Sequence, residues 1–389
     1  MLPLETKALL APSTRASLLK VVGLVDFSQS PLPLERMALD IRGLDLHRLS
    51  ESLLGLPWGA VLAPEEAAWF DDLPLVRLKG SQDLCKPGDV IELNPLQSKV
   101  AIRYRRGDTG NVLFATERCN SYCLMCSQPP REVEDAWRVQ HLLDLIDLID
   151  PNEPSLAISG GEPTLLGDGL VQVTQKCADA LPNTHIHVLS NGRLRDPALP
   201  AKFAGIHPNL SWGVPLYGDH HALHDYVVQS GGAFSQTLRG LYALEAAGQR
   251  VEIRVVLVKP SFERLAQLAR YIWRNLPFVE HVALMGIEPI GFAKAHQQEL
   301  WADPADYAKE LAEAVETLAE GGIAVSLYNL PLCTLDRSLW PYAVQSISTW
   351  KNDYLPACNA CSVRERCGGF FSWVTPAWTS RAVSPILEA

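Results

Sequence analysis

Along residues 111–286, short apolar runs alternate with longer stretches whose apolar residues recur every three or four positions. The runs Val112–Thr116, Leu156–Ser159, His185–Ser190, Leu210–Val214, Val251–Val258 and His281–Gly286 read as strands, and Val139–Asp150, Val171–Ala180, Ala233–Ala247 and Phe262–Asn275 as helices. Six strand–helix repeats predict an α/β fold, a partial (β/α)6 TIM-like barrel whose ligand site lies beyond the C-terminal strand ends. In Val251–Val258, the residues Val251, Ile253, Val255 and Leu257 form one apolar face, which turns Glu252 and Arg254 into the barrel. A charged pair there is costly unless it binds something or pairs internally. Asp303-Pro304 predicts a further helix to about Glu320, closed by Gly321-Gly322.

Upstream the rhythm differs. Short apolar runs punctuated by turns, such as Val90-Ile91-Glu92-Leu93 after Lys86-Pro87-Gly88-Asp89 and the alternating Ser98–Tyr104, predict a β-rich N-terminal domain. The turn Arg106-Gly107-Asp108-Thr109-Gly110 marks its end. The expected organisation is therefore 1–106, a barrel over 107–325, and a small Cys-rich C-terminal domain over 326–389.

Composition narrows the partners. The chain has 389 residues, 47% hydrophobic and 20% charged, and no apolar run long enough to span a bilayer is present. Its N-terminal segment is interrupted by Glu5, Lys7 and Arg15, which argues against a signal peptide, and the expected setting is cytoplasmic. A formal net charge of -10 disfavours nucleic-acid binding, and a peptide or small-molecule partner fits better.

Seven of the nine cysteines fall in two groups. Cys119, Cys123 and Cys126 form a C-x3-C-x2-C trio directly after the first strand. Three thiolates can hold a 4Fe-4S cube while leaving one iron open to an outside ligand. Cys333, Cys358, Cys361 and Cys367 offer four thiols, enough for zinc or for a fully ligated cube. Cys85 and Cys177 read as buried or surface thiols without a role. Gly160-Gly161-Glu162-Pro163 closes the second strand, with glycines that permit close backbone approach and a carboxylate able to accept from an ammonium. Ser190-Asn191-Gly192 closes the third. His220, His221 and His224 are expected on a solvated loop, and His185 and His187 as plain strand residues.

The trio after strand one resembles the signature of the radical S-adenosylmethionine superfamily. The resemblance implies that Cys119, Cys123 and Cys126 hold a 4Fe-4S cluster that binds and reductively cleaves S-adenosylmethionine, drawing on an external electron donor. It implies that Gly160, Gly161 and Glu162 meet the cofactor's methionine amino group and that Ser190 and Asn191 meet its ribose; Arg254, turned into the barrel, either serves the cofactor carboxylate or only pairs with Glu252. Met125 stands where the family usually has an aromatic, so adenine contact there is apolar. Pro215 stands at a position that is polar in many relatives.

The tail resembles the auxiliary-cluster extensions called twitch and SPASM, which implies one auxiliary 4Fe-4S cluster. The stretches Phe114–Pro130, Pro215–Gly218, Ala283–Ala293 and Cys358–Phe371 look like the radical maturase, C component, of the His-Xaa-Ser peptide system. That implies hydrogen abstraction from a ribosomally made precursor peptide, with a second radical maturase as partner. A small-molecule radical enzyme of cofactor biosynthesis and a noncatalytic metal-binding scaffold are the alternative readings.

Overall fold

The computed structural model describes all residues except 1–3, 45–48, 67–72, 81–82, 347, 349–350 and 389. Contacts divide the chain into two units, Met1–Asn111 with Gln140–Pro154, and Val112–Val139 with Ser155–Ala389.

In the first unit seven short strands, β1 (Glu5–Leu10), β2 (Ser17–Val22), β3 (Met37–Asp40), β4 (Ala60–Leu62), β5 (Leu75–Leu78), β6 (Val90–Asn94) and β7 (Lys99–Tyr104), close a barrel in the order β1-β5-β4-β3-β2-β6-β7. Strands β2 to β5 run parallel to one another, while β1, β6 and β7 pair antiparallel. Alternation fills the interior: Leu19 and Val21, Ile91 and Leu93, and Val100 and Ile102 belong to one buried cluster. Tyr104 is buried beside them in sequence, and its hydroxyl donates to Glu153 at 2.6 Å.

In the second unit eight strands form one parallel sheet in simple sequence order: β8 (Val112–Phe114), β9 (Ser155–Ser159), β10 (His185–Leu189), β11 (Leu210–Pro215), β12 (Arg250–Leu257), β13 (Val279–Gly286), β14 (Ala324–Tyr328) and β15 (Ala343–Val344). Helices Asp168–Ala180, Ala233–Ala246, Leu265–Asn275 and Ala308–Glu320 carry apolar stripes. Leu265, Leu268, Ala269 and Ile272, for instance, share one buried face. The expectation of six strands is corrected to eight. Strand β14 follows Gly321-Gly322 but its apolar run is broken by Ser326, and β15 has only two residues. The Cys-rich tail belongs to the same compact unit as this sheet, and the sheet itself continues past residue 325.

The sheet curls into a partial barrel, and the loop after β13 reaches the loop after β8. Gly291, in the loop after β13, lies so close to the cysteine segment after β8 that a Cβ there would stand 2.3 Å from the Cys126 carbonyl oxygen. The Phe292 amide donates to that same oxygen at 2.9 Å. Only glycine suits this position, with its φ of 56°.

Candidate functional site

The loop carrying the thiol trio is pinned by its backbone. Tyr122 and Leu124 donate their amides to the carbonyls of Val228 and Val227, at the end of helix His221–Val228, and Cys126 closes a turn on Cys123. Leu124 and Met125 sink into an apolar cluster with Tyr217, Val227, Val258 and Ile287. This packing sets Cys119, Cys123, Met125 and Cys126 on the wall of one open cavity of about 370 Å³ at the C-terminal ends of the strands. Burial pushes the Cys119 thiol up to about 11 and the Cys123 thiol up to about 12, and raises that of Cys126. Three thiols from one short loop on one cavity wall are a donor set that fits an iron cluster.

Upstream of the trio, the fully buried carboxylate of Asp135 accepts from Thr116 Oγ1 at 2.6 Å, the Glu117 amide at 2.9 Å and Arg118 Nε at 2.9 Å. Sequence reading missed Asp135, because nothing local links it to residues nineteen positions earlier. Arg193 was missed too, although it directly follows the Ser190-Asn191-Gly192 turn. Its guanidinium donates to the Asn120 carbonyl and to Ser121 Oγ.

Gly160 and Gly161 line the cavity, but their close approach is to the chain itself. A Cβ on Gly160 would meet the Thr116 carbonyl oxygen at 2.4 Å, and one on Gly161 the Arg118 carbonyl oxygen at 2.1 Å. Glu162 is fully buried and is not among the cavity's lining residues. Its carboxylate accepts from the Thr164 amide (3.0 Å), Thr164 Oγ1 (2.6 Å), Ser190 Oγ (2.8 Å) and the Asn191 amide (2.6 Å). Glu162 thus ties the Gly-Gly-Glu-Pro turn to the Ser-Asn-Gly turn. Ser190 and Asn191 do line the cavity, and Asn191 Nδ2 donates to Asn120 Oδ1 at 2.6 Å beside Cys119.

Arg254 reaches the cavity from β12, with Nη1 on Glu252 Oε1 at 2.6 Å and Nη2 on Met285 Sδ at 3.2 Å. Beneath it a polar network crosses five strands. Ser211 Oγ lies 2.8 Å from both His185 Nε2 and His187 Nδ1, and His281 bridges Glu252 and Ser326 at 2.8 Å each. His185 and His187 are therefore more than plain strand residues. Because a carboxylate only accepts, His281 Nδ1 donates to Glu252. Burial pushes the Glu252 carboxyl up, but the imidazoles of His187 and His281 and the Arg254 guanidinium reverse this and hold it below the usual carboxylate range.

Removing that charge has a predictable cost. Glu252→Gln leaves Arg254 and His281 without their anion and is expected to lower stability by about 3 kcal/mol at pH 7. Because the folded-state pKa lies below the unfolded one, the contribution is complete above the ordinary carboxylate range and fades as pH falls beneath it. Urea midpoints at pH 7 and pH 3 should therefore differ more for the wild type than for the variant.

His224 corrects an expectation. It sits on helix His221–Val228, not on a solvated loop, and is 1% exposed. Its Nδ1 accepts the Tyr217 amide at 3.2 Å, and burial drives the ring down to about 4. In the tail, Cys333, Cys358, Cys361 and Cys367 line one small cavity, and the Leu332 and Gly369 amides donate to Cys367 Sγ at 3.3 and 3.4 Å. Burial raises the Cys333 and Cys367 thiols. Four gathered thiols, one of them already accepting two amides, fit a thiolate-held metal group. Among the described residues no three His, Cys, Asp or Glu side chains are drawn together as ligands of a single ion. Cys85 and Cys177 are buried elsewhere. No helix among the described residues is long and apolar enough to cross a membrane.

Residues 113–291 match the family model of the Radical SAM superfamily. The thiol trio and its cavity fall within that stretch, so the chain carries a domain that matches the Radical SAM superfamily. Among solved structures the chain is similar to SuiB of Streptococcus suis bound to precursor peptide SuiA (15% identity, 56% of this chain and 48% of that one, TM-score 0.43). It is also similar to native anSMEcpe with bound AdoMet (18% identity, 55% and 63%, TM-score 0.44). A third is the coproporphyrinogen III oxidase HemN of Escherichia coli, a radical SAM enzyme (13% identity, 52% and 51%, TM-score 0.40). The chain spans about half the length of the SuiB structure it matches. No curated protein is matched.

Proposed function

We propose that the protein is a radical S-adenosylmethionine maturase that acts on a ribosomally made precursor peptide of the His-Xaa-Ser type. The observation that carries the radical reading is the convergence of Cys119, Cys123 and Cys126 on one cavity with the Gly160-Gly161 and Ser190-Asn191 turns. Bound there, the cluster and S-adenosylmethionine supply a 5'-deoxyadenosyl radical able to take hydrogen from an unactivated carbon. The chain's own residues do the rest. Cys119, Cys123 and Cys126 would hold the cluster, Met125 would give the adenine an apolar wall, and the Ser190-Asn191 turn would serve the ribose. Arg254, braced by Glu252, offers a guanidinium to the cofactor carboxylate. Gly160 and Gly161 present backbone to the methionine end, while the buried Glu162 holds the two turns in register.

The peptide reading rests on the sequence stretches Phe114–Pro130, Ala283–Ala293 and Cys358–Phe371. In it, Cys333, Cys358, Cys361 and Cys367 would hold one auxiliary 4Fe-4S cluster, and a second radical maturase would act beside this one. Two measurements test the proposal. Anaerobically reconstituted protein given S-adenosylmethionine and dithionite should release 5'-deoxyadenosine, and its absence overturns the radical reading. Mass spectrometry of a His-Xaa-Ser repeat peptide coexpressed with the protein should show a mass change, and an unaltered peptide overturns the substrate.

A further inference from the structure

Tyr217, just past β11, lines the same cavity as the thiol trio and Arg254, and the reading above gives it no task. Its ring is fixed. It packs in one apolar cluster with Leu124, Met125, Val227 and Val258, and it stacks on the buried His224 ring, 6.0 Å between centroids and 28° between planes. His224 Nδ1 also accepts the Tyr217 amide, so one residue holds both the ring and the backbone.

The hydroxyl is held by nothing. Tyr217 is 7% exposed, and its oxygen makes no hydrogen bond among the described residues, the thiols included. Nor is that oxygen sealed off, as the unpartnered Trp373 Nε1 is. It lies within electrostatic reach of Cys123, Cys126 and Arg254, all on the cavity wall. A phenol in so apolar a setting finds a partner for its O–H, and here the open cavity is the place left for one.

Donor chemistry selects the partner. Thiolates that hold a cluster accept and do not donate, so the trio offers nothing to an acceptor on a ligand. Arg254 already gives Nη1 to Glu252 and Nη2 to Met285 Sδ, Lys351 faces Glu288, and Pro215 brings no donor to the wall. A carboxylate only accepts, and its two oxygens offer about four lone-pair sites, more than a partly committed guanidinium fills. A phenol, protonated at neutral pH, supplies the missing donor. We propose that Tyr217 is a cofactor-binding residue whose hydroxyl donates to the carboxylate of S-adenosylmethionine, beside Arg254. This deepens the radical reading and rests on it for the cofactor.

The test is binding. Anaerobically reconstituted full-length protein is titrated by equilibrium dialysis with S-adenosylmethionine and with its decarboxylated analogue, which keeps the adenosine, the sulfonium and the amine. Tyr217→Phe retains the ring that stacks on His224, so its iron content and melting temperature should match the wild type. Its affinity for S-adenosylmethionine should fall about tenfold, the loss expected for one hydrogen bond to a charged group. For the analogue, measured by its displacement of S-adenosylmethionine, variant and wild type should agree. An unchanged affinity for S-adenosylmethionine overturns the assignment. An equal loss for both ligands also overturns it, because the hydroxyl would then serve the adenosine or the amine. A loss of iron overturns it too and makes Tyr217 a support of the cluster loop. A wild type that binds no S-adenosylmethionine at all sinks the radical reading itself, and this assignment with it.

Discussion

Cys126→Ala is expected to bring 5'-deoxyadenosine formation down to the level of a control without protein, while the melting temperature of the metal-free chain barely moves. The asymmetry follows from where the thiol sits. Cys126 is only partly buried on the cavity wall and its Sγ makes one hydrogen bond, to the Gln128 carbonyl, so the fold should lose little when it goes. The backbone that shapes the loop, through the bonds of Tyr122 and Leu124 to helix His221–Val228 and of Phe292 to the Cys126 carbonyl, does not involve the side chain. What disappears is one of three ligands, and two thiolates cannot fix a cube with a single open iron. Cys177 provides the contrast. It is fully buried within helix Asp168–Ala180 and far in sequence from any thiol group. Cys177→Ala should cost about 1 kcal/mol of stability and leave cofactor cleavage intact. Iron content and 5'-deoxyadenosine yield on both variants check the pair. Full iron loading and activity in Cys126→Ala would remove the trio from the chemistry.

What the sequence made legible was local. Three thiols within eight residues after an apolar run need no tertiary knowledge to be seen as one ligand set, and period-two alternation sufficed to turn Glu252 and Arg254 inward. What that pair meets was hidden. His187, Ser211, His281 and Ser326 arrive from neighbouring strands, and strand register is set by the packed sheet rather than by any single segment. Glu162 shows the opposite failure, a motif found but its direction misjudged. Its side chain caps the short turn Pro163–Leu166 by accepting the Thr164 amide. An acceptor followed by proline is a turn-start signal that was present in the sequence all along. Strand β14 went unseen because Ser326 interrupts its apolar run to meet His281.

Gly161→Ala is expected to be strongly destabilising. A Cβ there would lie 2.1 Å from the carbonyl oxygen and 2.6 Å from the carbonyl carbon of Arg118, both backbone atoms that no rotamer change can move aside. The two segments are also bonded to each other at this point. The Gly161 amide donates to the Thr116 carbonyl at 2.7 Å and the Glu162 amide to the Arg118 carbonyl at 2.8 Å. Relief of the clash must therefore stretch one or both bonds and push the Arg118 carbonyl away. Arg118 is held by the buried Asp135 and immediately precedes Cys119, so the displacement passes either into a buried ion pair or into the first cluster ligand. Overpacking of this kind costs about 3 kcal/mol or more. Unlike Cys126→Ala, the variant should lose stability before it loses iron. The denaturation midpoint of the metal-free protein falls, and any iron it takes up is lost faster on dilution than from the wild type. Gly161→Ala with an unchanged midpoint would mean that the Thr116–Arg118 segment yields freely, and that the glycine pair serves ligand approach instead of the join between the two turns.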